Sequence, residues 1–340
     1  MLKHLLFVLT ILLSAPVLYA QPYSISDAKA EGPSTPRLIV LRDERGGIEA
    51  AICPEQGGEL SGMRVLFRGR WVELLDKARD YRPSEDWRGK APLLWPATGR
   101  TAPNGYNWKG KFYPMPAHGF VQNMPWKLES KHSDPNEAVA MVSLEDTPET
   151  RKMYPFGFRI VVEYRLSRGK LALAYTVRAA DGNGEPMFFS IGNHITFRTP
   201  LIDGGEASKM LFYTPATLEI VKSPERLPTG ETRAWSLAGP AELGGLGAER
   251  VLSASGYKPG EIWATLEDPK GLGIRLEHSA STIPPQPVVL FNLWASADHK
   301  VFSPEPWVGL QNSFNLQKGL VRLEPRGEFK WRIMLEPIRK

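Results

Sequence analysis

Apolar and polar residues alternate with a period of two along much of this chain. Phe158, Ile160, Val162, Tyr164 and Leu166 interleave with Arg159, Val161, Glu163 and Arg165. Ser167–Lys170 reads as a turn, and Leu171, Leu173, Tyr175 and Val177 resume the alternation. Successive side chains of a strand point to opposite faces, so this is a hairpin with one buried face. Further strands are expected at Leu38–Leu41, Ile48–Cys53, Ala138–Leu144, Ile262–Leu266, Gly273–Glu277, Val288–Trp294 and Phe329–Leu335. No long segment combines a 3.6-residue repeat with helix caps, so helices should be few and short. The 31 glycines and 30 prolines favour turns and short strands in the same way. Together these patterns predict an all-β fold of antiparallel sheets packed face to face, with long loops.

The chain has 340 residues, enough for one large domain or two ordinary ones. No linker or internal repeat interrupts 37–340, so that stretch is expected to be a single domain. Residues 21–36 are rich in Ser, Pro, Ala and Gly without periodicity. They read as a flexible lead-in. Residues 1–20 read as a signal peptide: Lys3 and His4, then the apolar run Leu5–Leu13, a break at Ser14, Ala15 and Pro16, and Ala20 as the last residue before cleavage. The run is short for a bilayer span. Leu18 is an unusual residue so near a cleavage site, which leaves an uncleaved N-terminal anchor as the alternative. Either way the expected location is periplasmic or extracellular, with no stable membrane insertion once the segment is removed.

Charge narrows the partners. The 42 basic and 37 acidic residues leave a formal charge of +5 with no basic run, which does not argue for nucleic acid. Cys53 is the only cysteine, so neither an internal disulfide nor a cysteine-rich zinc site is expected. The histidines show no HxH or HExxH spacing, and no metal is expected. No phosphate-cradling glycine loop is present.

Four stretches stand out, three of them with candidate chemistry. In MFFSIGNHITF, Met187–Phe197, an apolar run breaks at Gly192 and presents Asn193 and His194. A glycine break at a strand end can hold an imidazole rigidly with its tip exposed; a satisfied core histidine fits the same pattern. Leu93–Trp126 holds Arg100, His118, Trp108 and Tyr113 in a long Pro/Gly-rich loop, where sites often lie. YPFGF, Tyr154–Phe158, reads as core. In SPEPWVGLQNSFN, Ser303–Asn315, Glu305 lies between two prolines beside Trp307. The prolines fix the backbone and the indole could shield the carboxylate; a surface acid in a rigid turn also fits.

In this order the stretches resemble the aldose 1-epimerase family, the galactose mutarotase-like proteins. The resemblance rests on Gly99-Arg100, Pro116-Ala117-His118-Gly119-Phe120, Gly192-Asn193-His194-Ile195-Thr196-Phe197 and Glu305-Pro306-Trp307. YPFGFRIVVEYRL and VVLFNLW are also similar to family segments. The resemblance implies a large antiparallel β-sandwich, the galactose mutarotase-like supersandwich, with a carbohydrate in an open cleft. It implies Glu305 as the general base and His194 as the general acid. It implies His118 and Arg100 as substrate-binding residues, and no cofactor. Two departures bear on sugar specificity: Ile195 stands where the family often has proline, and the family's substrate-binding aspartate has no assignable position.

The implied chemistry suits these residue types. Exchanging anomers opens a hemiacetal: a base takes the O1 proton while an acid protonates O5. Arg100 and His118 would hold hydroxyls in register. Trp108, Tyr113, Trp294 and Trp307 could pack against the apolar face of the ring. The reading is an exported epimerase of a free aldose, a small-molecule sugar substrate. Three alternatives stand beside it. One is a non-catalytic carbohydrate-binding protein on the same fold. Another is a glycosidase or lyase, which would need a second carboxylate. The third is a hexose-phosphate 1-epimerase, with Arg64, Arg68, Arg70 and Arg100 as a clamp.

Overall fold

Phe158–Ser167 and Lys170–Ala179 form the predicted hairpin, with Val162 opposite Tyr175 and Tyr164 opposite Leu173. The computed structural model of the protein describes residues 21–30, 36–76, 90–246, 252–296 and 298–340. The hairpin sits inside a nine-stranded antiparallel sheet. Glu328–Arg339 pairs with Lys170–Ala179 on one side and Leu272–Ala280 on the other. The alternating apolar residues Phe329, Trp331, Ile333 and Leu335 are all buried. The other large sheet has eight strands. At its centre Val301–Gly309 pairs with Val289–Ala295 on one edge and with Ile191–Asn193 and Phe197–Arg198 on the other.

The two sheets pack through apolar side chains of their inner faces. Phe212 of the nine-stranded sheet meets Phe302 of the eight-stranded one, with ring centroids 5.1 Å apart. His278 meets Phe291 at the same distance. Two inner polar side chains, Asn193 and His278, find hydrogen-bond partners across the core, as buried polar groups usually do. Asn193 Nδ2 donates to the Tyr175 hydroxyl at 2.9 Å and to the Ala91 carbonyl at 3.0 Å. His278 bridges the Leu290 carbonyl and the Trp331 indole N–H. The fold is thus a large antiparallel β-sandwich. Its described α-helices, Thr150–Met153, Leu243–Leu246 and Ser313–Leu316, are one turn each. Among the described residues no helix is long and apolar enough to cross a membrane.

The signal peptide expected at 1–20 lies outside the described residues. The lead-in expected at 21–36 is corrected in part. Tyr23–Lys29 is a strand that pairs with Arg37–Asp43 from Tyr23 opposite Asp43 to Lys29 opposite Arg37. It starts a five-stranded antiparallel meander ending at Arg70–Glu73. Ser24, Ser26 and Asp27 hide the strand from a hydrophobic pattern, yet an edge strand needs only backbone pairing and polar outer residues. Tyr23 anchors it, with a buried ring and a hydroxyl that accepts the Arg168 N–H at 2.8 Å.

The alternative of a surface acid in a rigid turn does not hold for Glu305, which is buried. Val301–Gly309 is a nine-residue strand despite Pro304 and Pro306. Proline removes a ladder donor and is usually kept to sheet edges. Here the neighbour on one side is split. Gly192 faces Trp307 and Phe197 faces Phe302, so residues 303–306 have no ladder partner on that side. Residues 194–196 instead leave the ladder, and His194 and Thr196 donate their backbone N–H groups to the Pro92 and Lys90 carbonyls.

Candidate active site

Alternation on the central strand sorts its side chains. Phe302 points to the inner face, and Ser303, Glu305 and Trp307 point to the outer one. Asn292 stands opposite Glu305 on the neighbouring strand, while Phe291 goes to the inner face. On this outer face a cavity of about 220 Å³ is lined by Arg100, His118, His194, Asn292, Trp294, Glu305 and Trp307, with Gly99, Ala117, Arg226 and Gln311. Of the residues nominated from sequence, Glu305, His194, His118, Arg100, Trp294 and Trp307 therefore meet in one place.

Glu305 is 1% exposed, and each carboxylate oxygen has a donor. Asn292 Nδ2 donates to Oε1 at 2.8 Å and Trp307 Nε1 donates to Oε2 at 3.1 Å. His194 Nε2 lies 3.5 Å from Oε1. Burial raises the Glu305 carboxyl above its ordinary value; His194, the two hydrogen bonds and Lys222 pull it back down. The side chain is thus a carboxyl group made more basic by burial and held in fixed orientation.

The protonation of His194 is ordered by its neighbours. Thr196 Oγ1 donates its one proton to the His194 carbonyl at 3.2 Å. It therefore accepts from the Ser303 hydroxyl at 3.0 Å, and from His194 Nδ1 at 3.0 Å. Nδ1 carries a hydrogen, and Nε2 faces Glu305.

His118 has the opposite arrangement. Its Nδ1 accepts the Gly99 N–H at 3.2 Å, which places the proton on Nε2. Burial pushes its imidazole down to about 3, with His194 and Lys222 adding to the effect. It stays neutral at ordinary pH and offers one N–H donor. Its backbone is left-handed, with φ 67°, followed by Gly119 at φ 76°. A side chain on Gly119 would collide with the Trp95 carbonyl oxygen, so glycine is required where the loop recrosses Trp95. Gly192 answers a similar need. A Cβ there would stand 2.5 Å from Trp307 Cδ1, so its absence leaves room for the indole beside the strand that leads to His194.

Some nominations fail. Trp108 packs on Phe188 with centroids 4.6 Å apart, and Tyr113 stacks on Tyr106 at 5.5 Å; neither lines the cavity. Arg64, Arg68 and Arg70 do not line it either; they belong to the last hairpin of the five-stranded sheet. Arg64 pairs with Glu49 there, and Arg68 lies over Phe67. Arg226, Asn292, Gln311 and Lys222 were missed. Asn292 sits inside the motif VVLFNLW, two residues before Trp294, so its polar break in an apolar strand was the available signal. Lys222 ends the short strand Leu218–Lys222 and Arg226 lies in the turn after it, with no motif to mark either. Among the described residues no group of three or more His, Cys, Asp or Glu side chains could hold a metal ion.

Residues 37–238, more than half of the chain, match the family profile described as Aldose 1-epimerase. The chain belongs to the aldose 1-epimerase family. A galactose mutarotase-like protein from Clostridium acetobutylicum superposes on this family member with a TM-score of 0.77 at 22% identity, covering 93% of this chain and 99% of that one. A galactose 1-epimerase from Lactobacillus acidophilus superposes with a TM-score of 0.69 at 13% identity, covering 94% and 100%. These likenesses establish a shared fold. A curated Escherichia coli K12 relative named "Putative glucose-6-phosphate 1-epimerase" is 33% identical over 81 residues, 24% of each chain. The epimerase-family chain thus matches about a quarter of that relative's length in sequence.

Proposed function

We propose that this protein is an aldose 1-epimerase that interconverts the α and β anomers of a free aldose. The observation that carries the reading is the convergence of Glu305 and His194 Nε2 on one small cavity. O1 and O5 of a cyclic aldose are both bonded to C1, so a base and an acid that serve them must stand close together. Glu305 takes the proton from O1 as the C1–O5 bond breaks and the aldehyde forms. His194 Nε2 gives its proton to O5. Rotation about C1–C2 presents the other face, and reclosure returns both protons. His118 Nε2–H and Arg100 hold ring hydroxyls, and Trp294 covers an apolar face of the ring. The cavity is smaller than the roughly 300–1,000 Å³ of drug-sized ligand sites and suits a single sugar ring. The N-terminal segment supports action outside the cytoplasm, after export.

A second reading is favoured by one observation. Arg226 joins Arg100 in the cavity lining, and two guanidinium groups could clamp a phosphate. The substrate would then be a hexose phosphate. Polarimetry of freshly dissolved α-D-glucose, α-D-galactose and α-D-glucose 6-phosphate, with and without protein, tests both readings. Faster decay to the equilibrium rotation is expected for at least one. Sugar binding by calorimetry without acceleration for any aldose would make the protein a binding module instead.

A further inference from the structure

A row of polar side chains crosses the eight-stranded sheet and ends at Glu305. The register sets Ser253 beside Asn292 and Asn292 beside Glu305, on three successive strands. Asn292 presents Nδ2 to the carboxylate. Its Oδ1 accepts from the Ser253 hydroxyl at 3.3 Å and from Lys222 Nζ at 3.3 Å. Lys222 closes the strand Leu218–Lys222, next beyond Ser253. The pairing of that strand with Pro228–Ala234 slips between Ile220 and Lys222, and such bulges re-aim side chains beside sites.

The chemistry of the donors fixes the amide. An ammonium has three donors and no acceptor, so only the oxygen of Asn292 can face it. The amide nitrogen must then face Glu305. Were the amide turned over, its oxygen would meet the carboxylate and the Oε1 hydrogen bond would be lost. We propose that Lys222 is a positioning residue for the base: it locks the Asn292 amide that orients the Glu305 carboxylate, and its charge favours the ionised acid. This rests on Glu305 being the base.

Other charges act on the same groups. Glu305 faces His194 as well as Lys222. Lys222 faces Glu305, Glu219 and Arg226, and burial lowers its ammonium to about 8. Glu219 is itself paired with Arg233 at 2.5 Å. The wild-type rate should therefore decline as pH rises past about 8, when Lys222 loses its proton.

The test compares pH profiles of anomer exchange for wild type, K222M, K222Q and K222R. In K222M the acid limb of kcat/KM should move up by on the order of one pH unit, because removing a positive charge makes Glu305 easier to protonate. Its kcat should fall about tenfold with KM nearly unchanged. K222R should restore the acid limb and push the alkaline limb to higher pH. Profiles of K222M and K222Q that coincide with wild type would overturn the proposal. So would a rise in KM alone, which would make Lys222 a substrate contact. Should K222M and K222Q both unfold, an alkaline limb that stays near pH 8 in K222R overturns it instead. E305Q separates the two claims: an active E305Q removes the base reading itself, whereas an inactive E305Q beside an unchanged K222M removes only this inference.

Discussion

His194 Nε2 and Glu305 Oε1 face each other 3.5 Å apart, each held from behind by a different network. Thr196 and Ser303 hold the imidazole, and Asn292 and Trp307 hold the carboxylate. Ser303, Glu305 and Trp307 alternate along one strand, so a single backbone segment positions both partners. This pre-organisation means neither group must reorient as charge moves.

Substitution of either group should separate turnover from binding. E305Q keeps the shape and a hydrogen-bond acceptor but cannot take a proton. Anomer exchange should fall by about 10²–10⁴-fold while sugar affinity by calorimetry changes little. H194N should behave in the same way. Circular dichroism and a melting curve would show that both variants fold. A folded E305Q that exchanges anomers at the wild-type rate removes Glu305 from the mechanism.

Thr196 offers a finer probe. T196V keeps the size but leaves His194 Nδ1–H and the Ser303 hydroxyl without their shared partner. The expected loss is about 1 kcal/mol of stability and on the order of tenfold in kcat, with KM little changed. T196S should recover most of both. Equal activity of T196V and wild type would show that the tautomer of His194 needs no such support.

The legibility of this molecule in its sequence follows its physics. Strands with a strict apolar–polar alternation, such as Phe158–Ser167, were readable because one face is buried. Strands without that alternation were not. Tyr23–Lys29 has mostly polar outer residues, and Val301–Gly309 is buried along nearly its whole length and carries two prolines. The cavity-lining residues inside the motifs could be picked out by motif order and resemblance. Trp108 and Tyr113 were overread, because an aromatic in a loop has no pattern that separates a ligand platform from an anchor. Lys222 and Ser253 acquire meaning only through cross-strand register, which a linear sequence does not display.

Stability should depend on pH through His278, which lies outside the cavity. Its Nδ1 accepts from Trp331 at 3.1 Å and its Nε2–H donates to the Leu290 carbonyl at 2.7 Å. Both contacts suit the neutral ring, and burial lowers its value to about 4. The folded value lies below the unfolded one, near 6.5, so the unfolded state binds the proton first. The stabilisation is complete above about pH 6.5 and is lost as pH falls toward 4. The size is on the order of 3 kcal/mol. H278Q, whose non-titrating amide still offers an N–H donor and a carbonyl acceptor, should lower the melting temperature at pH 7 but flatten its decline between pH 6.5 and 4. Parallel melting curves for wild type and H278Q across that interval would contradict the assignment.

The two arginines of the cavity decide between a neutral and a phosphorylated substrate. Both are exposed at its rim, where a guanidinium can offer two parallel N–H donors to a phosphate. Neutral hydroxyls gain less from such a fork. If the free sugar is the substrate, R226M should leave kcat and KM for glucose or galactose within about twofold. R100M should raise KM a few-fold through the lost hydroxyl contact. If the substrate is a hexose phosphate, each variant should lose a charge-assisted pair worth about 1.5–3 kcal/mol. KM for glucose 6-phosphate should then rise on the order of tenfold to a hundredfold. The double variant R100M/R226M should reverse any preference for the phosphorylated sugar. Salt gives an independent check, since attraction at an exposed rim is screened over about 8–10 Å at ordinary ionic strength. Raising salt from low to 0.5 M should weaken use of the phosphorylated sugar and leave the neutral one unchanged. A wild-type protein that prefers glucose 6-phosphate, with a preference that survives both substitutions and high salt, would place phosphate recognition elsewhere than on Arg100 and Arg226.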